Sequence, residues 1–283
     1  MFKNIGIIAK QNSKKVSKCL QVLVDFLLKR QINILIDASN ATDTELSNIV
    51  TTVELGQRCD LIIVIGGDGT LLKAARLLAE ENVYLLGINL GRLGFLTDLS
   101  PTEVDKHLIQ ILNGAFIKEK RFLIEAKIYR NENFLSSCNA LNDIIIYRCN
   151  IPHMLSFETT IDGHFVNRQR ADGLIISTPT GSTAYALSAG GPIIHPSLNA
   201  LVLVTICPHT LSNRPLVIDG NSNLQVAICD EQIGKAQLSN DGLSCQELIS
   251  GDSILIKKHK HITLIHPQTH DHYATLRAKL AWS

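Results

Sequence analysis

The chain has 283 residues, 27 Lys and Arg against 26 Asp and Glu, and a formal net charge of +1. That balance excludes a protein that grips nucleic acid mainly by counterion release, which needs a clustered basic excess. With 45% hydrophobic and 19% charged residues, the composition excludes a disordered chain and supplies core for two packed domains.

Residues 5–9 read as a short apolar strand and 16–28 as a helix, from the spacing of Val16, Leu20, Leu23, Val24 and Leu27. Strands are expected over 32–36, 61–65 and 83–88, and helices over 44–55 and 71–79. Alternating apolar strands and helices predict a parallel sheet covered on both faces. After about Leu99 the texture changes to strands at 122–130, 134–137, 144–148, 155–161, 173–177, 201–206, 224–228, 254–258 and 262–265, with turn clusters between them. Helices are expected there only at 104–112 and 184–189. The organisation is therefore an α/β domain over 1–99 and a β-rich domain over 100–272. The helix-like segment 273–283 is expected to return to the first.

The seven cysteines include no Cys-x-x-Cys pair, which fits buried thiols in a reducing cytoplasm better than a disulfide scaffold or a structural zinc site. The first residues show no apolar export segment. Residues 173–194 are uncharged over a length that could span a bilayer, but Pro179, Pro192 and four glycines disfavour a lipid-facing helix. A buried strand followed by a ligand loop is expected, with no membrane partner.

The sharpest motif is the apolar strand 61–65 running through Gly66, Gly67, Asp68, Gly69 and Thr70 into a helix. Glycines let the backbone approach a phosphate, and a helix start offers unpaired N–H groups. A carboxylate inside an anion-binding turn makes sense if Asp68 faces a hydroxyl to be deprotonated, or a magnesium ion travelling with a nucleotide. Alternatively Asp68 or Thr70 caps the helix. A second cluster runs from Arg170 and Asp172 through a strand to the hydroxyl-rich Thr178–Ser188 stretch, a ligand loop or only a loop. The third is Asn142-Asp143, where an amide and a carboxylate could hold the two hydroxyls of a ribose, or simply form a turn. His259/His261 and His270/His272 share i,i+2 spacing. With no third ligand nearby in sequence they read as solvated strand-edge residues.

Together these segments resemble the NAD kinase family. The match rests on Gly66–Thr70, on Asn89-Leu90-Gly91-Arg92-Leu93-Gly94-Phe95-Leu96 and on Leu141-Asn142-Asp143. It continues through Asp172–Tyr185 and Pro208–Pro215. The resemblance implies a Rossmann-like, phosphofructokinase-like α/β N-terminal domain and a β-sandwich-like C-terminal domain. It also implies transfer of the ATP γ-phosphoryl group to the 2′-hydroxyl of the adenosine ribose of NAD, with a divalent metal, magnesium, accompanying ATP. Asp68 is then the proton acceptor, and Gly66, Gly67, Gly69 and Thr70 form the phosphate loop. NAD meets Asp68, Gly69, Asn142, Asp143, His153, Arg170, Asp172, Thr183, Ala184, Tyr185, Ala186, Leu187, Ser188 and Gln246. The family assembles as homodimers or homotetramers with sites partly shared between subunits. A lipid or sugar kinase shares only the first motif, and a non-catalytic dinucleotide sensor would leave Asp68 without a task.

Overall fold

The computed structural model describes residues 2–11, 13–43, 48–91, 94–97, 99–100, 104–148, 154–229 and 236–282. The chain divides into two compact units, 1–120 together with 261–283, and 121–260. The expected boundaries at 99 and 272 both fall inside the first unit. Residues 104–112 join its core, and 263–264 pair with its sheet.

The first unit is built from β1 (Asn4–Ala9), α1 (Lys14–Leu28), β2 (Asn33–Asp37), β3 (Ile49–Val50), α2 (Thr52–Arg58), β4 (Leu61–Ile65), α3 (Asp68–Leu77), β5 (Tyr84–Ile88) and α4 (Val104–Leu112). Its strands lie in the order β5-β4-β1-β2-β3, each pair parallel. Leu61, Ile63 and Ile65 of β4 face a core that includes Leu20 and Leu23 of α1 and Leu108 of α4. Ile62 and Val64 are equally buried on the opposite face, so β4 reads as an unbroken apolar run. Gly6 of β1 lies where a Cβ would stand 3.1 Å from both Leu55 and Ile62, so its lack of a side chain lets α2 sit close.

The helix expected over 44–55 is corrected. A 3₁₀ turn occupies 38–43, residues 44–47 lie outside the described set, β3 is extended, and α2 starts only at Thr52. Thr51 sets that start through a capping box: its hydroxyl accepts from the Glu54 N–H at 3.3 Å, and the Glu54 carboxylate accepts from the Thr51 N–H at 2.8 Å.

The second unit takes in most of β6 (Phe116–Arg130), then β7 (Asn133–Ala140), β8 (Asp143–Arg148), β9 (Leu155–Ile161), β10 (His164–Ala171), β11 (Gly173–Ser177) and the one-turn helix α5 (Tyr185–Ser188). It continues through β12 (Ala200–Ile206), β13 (Leu216–Asp219), β14 (Leu224–Ile228), β15 (Ala236–Asn240), β16 (Leu243–Leu248) and the first part of β17 (Ser253–Pro267). The last residues of β17 run parallel to β5 in the first unit, and α6 (His272–Leu280) follows there. One antiparallel sheet has the order β13-β12-β11-β8-β15-β16, and a second set joins β10, β9, β14 and β17. Ile144, Ile146, Leu174 and Ile176 from the first and Phe157, Val226, Ile254 and Ile256 from the second share one core. On the other face of the six-stranded sheet, Ile145, Ile175, Val202 and Val204 are buried with Ala186 and Ile194 of the 178–194 segment. The uncharged stretch 173–194 is thus a strand, a 3₁₀ turn and a one-turn helix, and no helix among the described residues is long and apolar enough to cross a membrane.

Candidate functional site

Gly66 follows β4 at the carboxyl edge of the parallel sheet, where open α/β sheets usually place ligands. Its N–H donates to Ile88 at 2.9 Å, and a Cβ there would stand 2.5 Å from the Thr70 hydroxyl oxygen, so close packing requires glycine. Gly67 and Gly69 are different. A Cβ at either would meet nothing within 4 Å, so the protein's own packing does not demand glycine at these positions. Open space beside a helix N-terminus is what a phosphate group would fill.

Asp68 is the first residue of α3, and the helix cap is Gly67, which offers no side-chain hydrogen bond. The capping reading of Asp68 therefore fails. Its Oδ2 accepts from the Phe95 N–H at 2.8 Å, and Oδ1 accepts from the Leu96 N–H and the Thr97 hydroxyl, both at 3.1 Å. A Cβ on Gly94 would collide with Asp68 Oδ1. The 94–97 segment thus clamps the carboxylate, and among the described residues one lone-pair position is left, on Oδ2. At the first turn of α3, a cavity of about 230 Å³ is lined by Lys10, Asp37, Ser39, Gly69, Thr70 and Lys73, among others. Asp37 is buried and accepts from Ser39 and Thr52, so the cavity presents fixed polar groups and two lysines.

In the second unit β8 and β11 pair antiparallel with Asp143 opposite Ser177, which brings Asn142-Asp143 and the Thr178–Ser188 loop together. The Asn142 carbonyl accepts from the Thr178 N–H at 2.9 Å, and a Cβ on Gly181 would collide with that same carbonyl. Asp241 organises this corner. It sits at positive φ in the β15–β16 turn, and its carboxylate accepts from the N–H groups of Leu141, Asn142 and Asp143 at 3.0, 2.8 and 3.2 Å. Asp143 is buried, and burial first, then the neighbouring Asp241 charge, push its carboxyl up to about 7. Along the loop Thr183, Ala184 and Leu187 are half-buried, Tyr185 and Ser188 are exposed, and Ala186 is buried.

Other expected site residues lie apart from this corner. Asp172 is exposed just before β11, about 17 Å from Ser177 at the usual strand rise, and Arg170 is exposed near the end of β10. Arg170 shares a cavity of about 460 Å³ with Ser156, Arg168 and Cys229. Gln246 on β16 accepts from the Ser136 hydroxyl at 3.0 Å. His153 and, from the 89–96 motif, Arg92 and Leu93 lie outside the described residues. Sequence reasoning missed the roles of Thr97 and Asp241. For the second, the available signal is the Asn240-Asp241-Gly242 turn sequence, which does not show what the carboxylate holds. The histidine pairs are also corrected in part. His270 lies in a turn and His272 opens α6, so these two do not share a strand face.

Residues 5–116 match the ATP-NAD kinase N-terminal domain and 141–266 the ATP-NAD kinase C-terminal domain. The NAD kinase of Teredinibacter turnerae is 46% identical over all of this chain and 97% of its own length. That of Nitrosococcus oceani is 48% identical over 99% of this chain and 97% of its own. Among solved structures, yeast NADH kinase complexed with NADH superposes with a TM-score of 0.90 at 27% identity, covering 99% of this chain and 88% of that one. An Archaeoglobus fulgidus NAD kinase in complex with ATP shares the fold, with a TM-score of 0.75 at 23% identity over 97% and 99% of the two chains. Two matched domains in order, relatives spanning the full length, and a clamped aspartate in the glycine turn lead to one assignment: the chain belongs to the ATP-NAD kinase family.

Proposed function

We propose that this chain transfers the γ-phosphoryl group of ATP to the 2′-hydroxyl of the adenosine ribose of NAD, giving NADP. The observation that carries the reading is Asp68, held by Phe95, Leu96 and Thr97 rather than by its own helix, with an acceptor position left on Oδ2. That oxygen accepts the hydroxyl proton as the phosphorus arrives. Phosphoryl transfer has a loose transition state, so positioning and charge neutralisation carry most of the acceleration and general-base catalysis adds about 10²–10⁴-fold. Backbone N–H groups at the α3 N-terminus, beside Gly67 and Gly69, receive the donor's phosphates, and Lys10 and Lys73 supply positive charge in the adjoining cavity.

A divalent cation, magnesium by its usual pairing with nucleotide phosphates, fits this donor set, which offers scattered carboxylates rather than an all-protein cage. Asp37, which lines the cavity, would hold it through one of its waters. When bound, it neutralises charge on the transferring group.

Asn142 and Asp143 take the ribose hydroxyls of NAD, with Asp143 accepting as the carboxylate, and Thr183, Ala184, Tyr185, Ala186, Leu187 and Ser188 line the dinucleotide. Arg170, Asp172, His153 and Gln246 complete the site. The separation of Arg170 and Asp172 from Asn142 supports a homodimer or homotetramer in which these residues serve a neighbouring copy. The cytoplasm is the proposed compartment, supported by the lack of a disulfide among the six described cysteines. The test is a coupled assay for NADP with purified protein, ATP, magnesium and NAD. NAD-dependent ADP release with NADP formation is expected, and binding of NAD without turnover would favour a sensor instead.

A further inference from the structure

Glu119 on β6, His266 near the end of β17 and His270 in the turn before α6 meet in the first unit, far from one another in sequence except for the two histidines. His266 is 2% exposed, and its Nε2 lies 3.0 Å from Glu119 Oε2. The His266 and His270 rings stack with centroids 4.1 Å and planes 23° apart. One ligand atom from each of the three residues lies within 4.8 Å of the others. The turn is closed by the His270 N–H donating to the Pro267 carbonyl at 2.9 Å, which holds the second ring beside the first.

We propose that Glu119, His266 and His270 form a binding site for a borderline divalent transition metal, zinc being the fitting class. Two imidazoles and one carboxylate are an N₂O donor set of the kind zinc, cobalt and nickel take, whereas magnesium and calcium prefer oxygen alone. The 3.0 Å separation of Nε2 and Oε2 suits two donors that each stand about 2.1 Å from a shared ion. A tetrahedral site needs the third donor roughly 3.4 Å from the others, so His270 closes by no more than about 1.4 Å through rotation of its ring. Water supplies the fourth position. The ion fastens β6, β17 and the turn before α6, so its task is structural. The cluster uses none of the residues assigned to the proposed reaction and stands whether or not that reading holds.

The experiment uses the full chain, stripped with chelator and titrated separately with cobalt(II) and zinc(II). One cobalt per chain should give a visible ligand-field absorption of a tetrahedral site. Zinc at roughly a hundredfold excess over its Kd should raise Tm by about 5 °C or more. Both signals should be lost in His270→Ala and in Glu119→Gln, which alter half-buried groups, and kept in His261→Ala. A wild-type chain with neither signal, or signals unchanged in His270→Ala and Glu119→Gln, would overturn the site and leave the Glu119–His266 contact as a plain hydrogen bond.

Discussion

Asp68 and Asp143 carry the same side chain and are held in opposite ways. Main-chain N–H groups and a hydroxyl point at Asp68, so its carboxylate is an oriented acceptor. Asp143 is buried beside Asp241, which already accepts three backbone N–H groups, and its carboxyl rises to about 7. An acid raised in the folded state contributes stability that is full below its unfolded value near 4 and is lost as pH rises to about 7. Denaturant unfolding of Asp143→Asn should therefore show a flatter pH dependence than wild type between about 4 and 7. On the proposal that the carboxylate form of Asp143 holds the ribose diol, the KM for NAD should fall as pH rises from about 6 to 8, by up to roughly tenfold, and Asp143→Asn should abolish that trend. Identical slopes in the two proteins would remove Asp143 from this role.

At the scale of elements, the parts that sequence made legible are those with one dominant local cause. Buried strands such as β4 and β11 show as unbroken apolar runs, and α1 as a stripe at helical spacing. The strand β10 escaped because it is polar and largely exposed along its length. The two expected strands 254–258 and 262–265 are one, since the charged residues between them lie on an exposed stretch of β17 that sequence alone reads as a break. The candidate site was legible in its glycine turn and its Asn-Asp pair. The clamp from Phe95–Thr97 and the nest closed by Asp241 were not, because both join segments far apart in the chain. The β8–β11 junction depends on one such close approach. In Gly181→Ala the added Cβ must displace the Asn142 carbonyl, and a cost of about 2 kcal/mol should appear mainly as a KM for NAD raised roughly tenfold or more. Steady-state kinetics with varied NAD would show it. An unchanged KM would mean that Asn142 does not position the substrate.

For the molecule as a whole, each unit supplies a different part of the proposed chemistry: Asp68 and the cavity with Lys10 and Lys73 in the first, Asn142, Asp143 and Asp241 in the second. The units' bounds were only partly legible, because β6 and β17 each run through a boundary without a break in strand pattern. If Arg170 and Asp172 serve a neighbouring copy, inactive Asp68→Asn and Asp172→Ala should complement when refolded together. In a dimer about one quarter of wild-type activity returns, since half the dimers are mixed and each holds one intact site. No recovery would place all these residues in one copy's site. The account as a whole rests on Asp68 taking the ribose proton. The most direct test is Asp68→Asn assayed for NADP formation alongside calorimetric titration with NAD. The expected result is a kcat lower by about 10²–10⁴-fold with NAD binding retained, and a near-normal kcat would contradict it.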